Sequence, residues 1–245
     1  MFHNLRTLII AMSLLSVSAH AGVIIHGTRI IFDGSSSESV IKVSNNGTVP
    51  VLLQAWLDEG NPDARPEDIN APFSLTPPVV RLDQGKGQTI RILRIGGNLP
   101  SDRESIYWFN LLEIPPKADK KAAEDKNLMQ MAFRTRIKFF YRPASLSMSV
   151  EQAYENLKFT SRDGKVVIRN DSPYYVTLRE VDFYKGEKTP VLFSIDKQKN
   201  KMVAPFSTLS LSVSKPRQLT GATLVKYKVV NDFGSETAGQ GPLIK

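Results

Sequence analysis

The sequence predicts an all-β protein built as two sandwiches in tandem, and three observations predict it. Short apolar runs rich in valine, isoleucine and aromatic residues recur along the chain, punctuated by Gly, Pro, Asn and Asp. No long helical period appears, although Val150 to Ala153 would allow a single helical turn. The runs form two sets that part near residues 144–148, just after Tyr141-Arg142-Pro143.

The first set opens with Val23 to Phe32 (VIIHGTRIIF), read as one strand. Ser39 to Ser44 follows and stops at the Asn45-Asn46-Gly47 turn. Then come Val49 to Leu57, Val79 to Leu82, a Gly85-Lys86-Gly87 turn, and Gln88 to Ile95. Ile106 to Ile114 ends at Pro115-Pro116. The last member is Asn127 to Pro143, NLMQMAFRTRIKFFYRP. Seven strands in about 120 residues is the spacing of an immunoglobulin-like sandwich. In the second set, Asn156 to Ser161 and Lys165 to Asn170 flank Asp163-Gly164, a strong hairpin signal. Tyr174 to Tyr184, Ser207 to Val213 and Ala222 to Val230 complete it.

The N-terminus reads as an export leader. Arg6 supplies the positive start, Leu8 to Val17 an apolar run short for a bilayer, and Ala19-His20-Ala21 a cleavage site. Cleavage after Ala21 leaves residues 22–245, expected to divide into domains 22–145 and 146–245. No later run suits a membrane crossing, so no stable membrane insertion is expected.

Composition excludes several kinds of chemistry. There is no cysteine, hence no disulfide, thiol nucleophile or thiolate metal site. Of three histidines only His26 follows the leader, and it stands in a strand with no acidic neighbour. An exported hydrolase would have to use it. Asp63, Glu67 and Asp68 lack calcium-loop spacing, and Gly85-Lys86-Gly87 lacks the spacing of a phosphate loop. No cofactor is expected. The formal charge of +8 is scattered rather than massed, which reads as a solvated basic surface and not a nucleic-acid interface.

The strand from Asn127 to Pro143 is the most informative stretch. Met129, Met131, Phe133, Thr135 and Ile137 lie on one parity, and Arg134, Arg136 and Lys138 on the other. A charged run, Lys117 to Lys126, precedes it. Such a strand is either ordinary core or an edge held out for another protein.

Several motifs in order resemble the periplasmic pilus chaperones of the PapD type. The longest is Leu99 to Pro115, LPSDRESIYWFNLLEIP. Others are Gly27-Thr28-Arg29 with Phe32-Asp33-Gly34, Thr76-Pro77-Pro78 before Arg81-Leu82, Ile137 to Pro143, Pro173-Tyr174-Tyr175-Val176, and Asn231-Asp232-Phe233-Gly234. The resemblance implies an L-shaped pair of immunoglobulin-like sandwiches working in the periplasm. It implies that pilus subunits are held by donor-strand complementation and passed to an outer-membrane usher. By motif position, Arg29 and Lys138 would hold the subunit's C-terminal carboxylate. Met129, Met131 and Phe133 would fill the subunit's open groove, and Glu104, Arg142 and Asp232 would form an ion cluster between the domains. The ten residues from Lys117 to Lys126 resemble the family's short-loop class.

One difficulty follows from this. Lys138 lies on the parity opposite the methionines, so a bulge, a sharp twist, or a partner touching both sides of the edge is required. An exposed apolar edge also predicts self-capping into a homo-oligomer. The competing expectation is an exported two-domain adhesive or structural module of a surface fibre, which need not keep the Arg29–Lys138 pair.

Overall fold

A computed structural model describes residues 22–117, 129–162, 164–195, 201–213 and 219–245. The expected leader lies outside the described residues, as does all of the Lys117 to Lys126 run except Lys117 itself.

Among the described residues the first domain has nine strands: β1 (Val23–Ile25), β2 (Arg29–Asp33), β3 (Glu38–Asn45), β4 (Val51–Asp58), β5 (Phe73–Thr76), β6 (Val79–Leu82), β7 (Gly87–Arg94), β8 (Ser105–Ile114) and β9 (Phe133–Arg142). They form two sheets, β1-β3-β7-β5 and β2-β9-β8-β4-β6. Alternation places one parity of each strand inside. Val51, Leu53, Ala55 and Leu57 of β4 are buried, as are Tyr107, Phe109 and Leu111 of β8. Phe32, Phe73, Tyr107, Phe139 and Tyr141 form an aromatic cluster, in which Phe73 and Phe139 lie 4.9 Å apart, edge to face.

The single strand expected over Val23 to Phe32 is two. β1 pairs with β3 in one sheet and β2 runs parallel to β9 in the other. The chain changes sheets at Gly27, whose φ of 150° suits a residue without a Cβ. The polar run His26-Gly27-Thr28-Arg29 between two apolar triplets marks this corner in the sequence, and the single-strand expectation runs across it.

The second domain begins with helix α1 (Val150–Glu155), longer than the single turn expected. A capping box between Ser149 and Gln152 starts it. Strands β10 (Lys158–Arg162), β11 (Lys165–Asn170), β12 (Val176–Tyr184), β13 (Phe193–Ser194), β14 (Met202–Val203), β15 (Ser207–Ser212), β16 (Leu224–Val230) and β17 (Glu236–Ile244) follow. The hairpin at Gly164 is present, with Arg162 opposite Lys165. The two layers are hydrogen-bonded into one sheet through a short parallel pairing of β10 with β17. Phe159, Val181, Phe183, Val225 and Tyr227 pack between them.

Sequence reading missed β5, β13, β14 and β17. β17 carries Gly239, Gly241 and Pro242, poor strand formers. Its glycine is required by packing, because a Cβ at Gly239 would lie 2.4 Å from the Tyr227 ring. Tertiary contact overrides propensity there.

Candidate functional site

The geometry of β9 follows from where β2 starts. β9 pairs with β8 along all but its last residue, from Phe133 opposite Glu113 to Tyr141 opposite Ser105. On its other side β2 begins only at Arg29, opposite Lys138. Among the described residues, Phe133 to Ile137 therefore has one unpaired edge. The strand expected from Asn127 begins only at Phe133, so Met129 and Met131 precede it, and with Phe133 they are 81%, 54% and 58% exposed. They are not sealed in the domain's own core.

The parity question has a geometric answer. The β8–β9 register shows no shift from Phe133 to Tyr141, so no bulge intervenes. Phe139 and Tyr141 face the core, whereas Arg136, Lys138 and Arg142 lie on the outer face. A strand lying along the open edge would meet Phe133 on one side and Lys138 on the other.

At the end of that edge stand the two cations predicted from the motifs. Arg29 donates from Nη1 to the Val230 carbonyl at 2.9 Å, across the domain boundary. Its buried Nε–H has no partner among the described residues. Its guanidinium carbon lies 5.9 Å from the Phe140 ring centroid. Burial lowers its pKa, partly opposed by Tyr154, Asp232 and Glu104. Lys138 donates to Thr177 Oγ1 at 2.9 Å. Burial, reinforced by Arg29, pushes its amine down to about 8. Among the described residues neither cation has a carboxylate within ion-pair distance. Two half-buried cations side by side, with an orphaned donor between domains, form a site for an anion.

Behind the pair lies the predicted ion cluster. Arg142 donates to Glu104 Oε1 at 2.8 Å and to both Asp232 oxygens at 2.7 and 3.0 Å. Tyr154 Oη donates to Asp232 at 3.0 Å, and the Tyr175 amide donates to Glu104 Oε2 at 2.8 Å. Burial pushes the Glu104 carboxyl up, while Arg142 and the Tyr175 amide pull it back. Burial alone would lower the Arg142 pKa. The Asp232 hydrogen bonds and both carboxylate charges instead raise it above its ordinary value. The roles of Tyr154, Tyr175 and Thr177 were not found by sequence reasoning: Tyr154 supports Asp232 from within the second domain, and nothing in the sequence marks Tyr175 and Thr177 as making bonds across to the first.

A second ion pair was also missed. Arg136 binds the buried Asp58 carboxylate, which also accepts from Asn110 Nδ2 at 2.7 Å. Burial would raise the Asp58 pKa, but these donors hold it below the usual range. Arg136 is thereby committed within its own domain, whereas Lys138, two residues on, is not. His26 is exposed and contacts Ser44 Oγ at 3.0 Å, with no acidic partner. The described residues contain no metal-binding group of acids or histidines and no helix long and apolar enough to cross a membrane.

Comparison with known proteins gives a consistent result. Residues 22–147 match a family model described as a pili and flagellar-assembly chaperone, PapD N-terminal domain. Residues 152–241 match the C-terminal domain of the PapD pili-assembly chaperone. The chain is 40% identical over 238 residues to the chaperone protein FimB/FhaD of Bordetella pertussis, covering 94% of this chain and 91% of that one. It is 39% identical to the probable fimbrial chaperone YadV of Escherichia coli K12, covering 93% and 92%. Among solved structures, the CupB2 chaperone of Pseudomonas aeruginosa superposes with a TM-score of 0.74 at 35% identity, covering 90% of this chain and all of that one.

Proposed function

The chain belongs to the PapD family of pilus-assembly chaperones, and on that premise we propose that it completes unfinished pilus subunits in the periplasm with the open edge of β9. The family acts by binding, so the protein is not an enzyme. In this reading residues 1–21 are removed on export. The domains 22–145 and 146–245 then receive a subunit between them and present it to an outer-membrane usher. Unoccupied, the same edge caps itself against a second copy.

The observation that carries this reading is the coincidence of an unpaired strand edge with two uncompensated cations at its end. An incoming strand bonds to the backbone of Phe133 to Ile137. Met129, Met131 and Phe133 supply apolar surface to its groove, methionine suiting a chaperone that must accept several subunits. The strand's terminal carboxylate takes the orphaned Arg29 Nε–H and the Lys138 ammonium. Charge-assisted bonds of this kind contribute about 1.5–3 kcal/mol each. Because the clamp lies at the Lys138 end of the edge, the subunit strand runs parallel to β9. The adhesive-module alternative gives no reason for a cation pair at the end of an open edge.

Co-purification tests the reading. Periplasmic extract should yield the chaperone with subunit in one-to-one ratio, and Arg29→Ala should reduce the subunit recovered while leaving the chaperone folded. Recovery of the chain within sheared surface fibres would point to the adhesive module instead.

A further inference from the structure

The turn joining β16 to β17, residues 231–235, is fixed on every side but one. Asn231 Oδ1 accepts from the amides of Phe233 and Ser235, at 3.1 and 3.0 Å, and its Nδ2 donates to Thr237 Oγ1 at 3.2 Å. Asp232 is held by Arg142 and Tyr154. Gly234, at φ +80°, presses on the first domain so closely that a Cβ would lie 2.3 Å from Thr28 Oγ1. Between these anchored neighbours Phe233 is 92% exposed, the most open of the exposed large apolar side chains among the described residues.

An aromatic ring presented by a rigid turn has already lost much of the entropy that docking would otherwise remove. Its position adds to this. Thr28, which Gly234 touches, directly precedes Arg29, and Arg29 reaches Val230 at the base of the same turn. The turn that carries Phe233 is thus packed beside Arg29, next to the proposed subunit interface but on the other domain.

We propose that Phe233 packs on a large apolar side chain at the C-terminal residue of the bound subunit strand, so that the second domain reads the residue whose carboxylate the first domain holds. This deepens the clamp reading and rests on it. The aromatic supplies selectivity that two cations cannot, since every chain ends in a carboxylate.

Synthetic strand peptides of alternating valine and threonine, ending in leucine or alanine, test it by calorimetric titration against the mature protein. Each is made with a free carboxylate and with a C-terminal amide. The native protein should bind the leucine-ended acid roughly tenfold more tightly than the alanine-ended one. Phe233→Ala should bring that ratio to about one, and Phe233→Tyr should keep it. An unchanged leucine-to-alanine ratio in Phe233→Ala, with acids still preferred over amides, overturns this proposal and leaves the clamp standing. Equal binding of acids and amides by the native protein overturns the clamp as well, and so does the absence of any binding.

Discussion

Lys138 is the residue on which the site turns. Its burial beside Arg29 holds its amine at about 8, below the ordinary lysine value. The unfolded chain therefore binds more protons than the folded one between pH 8 and the ordinary value near 10.4. Stability contributed by this residue rises with pH across that window and is at its lowest below it. Lys138→Met should accordingly stabilise the free protein at pH 7 by about 1–3 kcal/mol and abolish the rise between pH 8 and 10, read from denaturant midpoints. Binding carries the opposite sign. A carboxylate beside Lys138 raises its pKa again, so affinity for a strand with a free C-terminus should fall as pH climbs through 8. Removing either Arg29 or Lys138 by alanine substitution should weaken that affinity by roughly 2–5 kcal/mol at neutral pH without loss of fold.

At the scale of elements, β9 is two strands in one. Lys138 to Tyr141 are paired on both sides, and Phe133 to Ile137 on one. Hydrogen exchange in the free protein should show slow amides over the first stretch and fast, edge-facing amides over the second. β17 offers a separate test. Gly239→Ala drives a methyl into the Tyr227 ring and should destabilise by about 1–3 kcal/mol in a urea titration.

These two elements also show what the sequence discloses. β9 was legible because period-2 alternation survives burial of one half and exposure of the other. The role of its exposed half was not legible, since alternation is the same whether the apolar side faces a domain's own core or a foreign one. The motif resemblance located Arg29, Lys138, Glu104, Arg142 and Asp232, and the fold gathers them at one junction. β17 was hidden by glycines that pack against an aromatic. The β1–β2 corner was legible in the polar break from His26 to Arg29 but was read through as one strand, and β13 and β14 were hidden by a length of two residues each.

At the scale of the molecule, the two domains are coupled through Arg142. Glu104 is 3% exposed and belongs to the first domain, while Asp232 belongs to the second. Arg142→Ala leaves a buried carboxylate without its cation, a change that destabilises by about 3–5 kcal/mol. Both tryptophans, Trp56 and Trp108, lie in the first domain. In that variant, tryptophan fluorescence and far-ultraviolet circular dichroism should part into two unfolding transitions. Coincident transitions at the native midpoint would show that the cluster does not couple the domains.

The central claim is that a foreign strand adds to β9 with its carboxylate on Arg29 and Lys138. Amide exchange across Phe133 to Ile137, followed while a strand peptide with a free C-terminus is added, tests it most directly. The account predicts new protection confined to that edge, weakened when the peptide is amidated. Binding that leaves those five amides as exchangeable as before would contradict it.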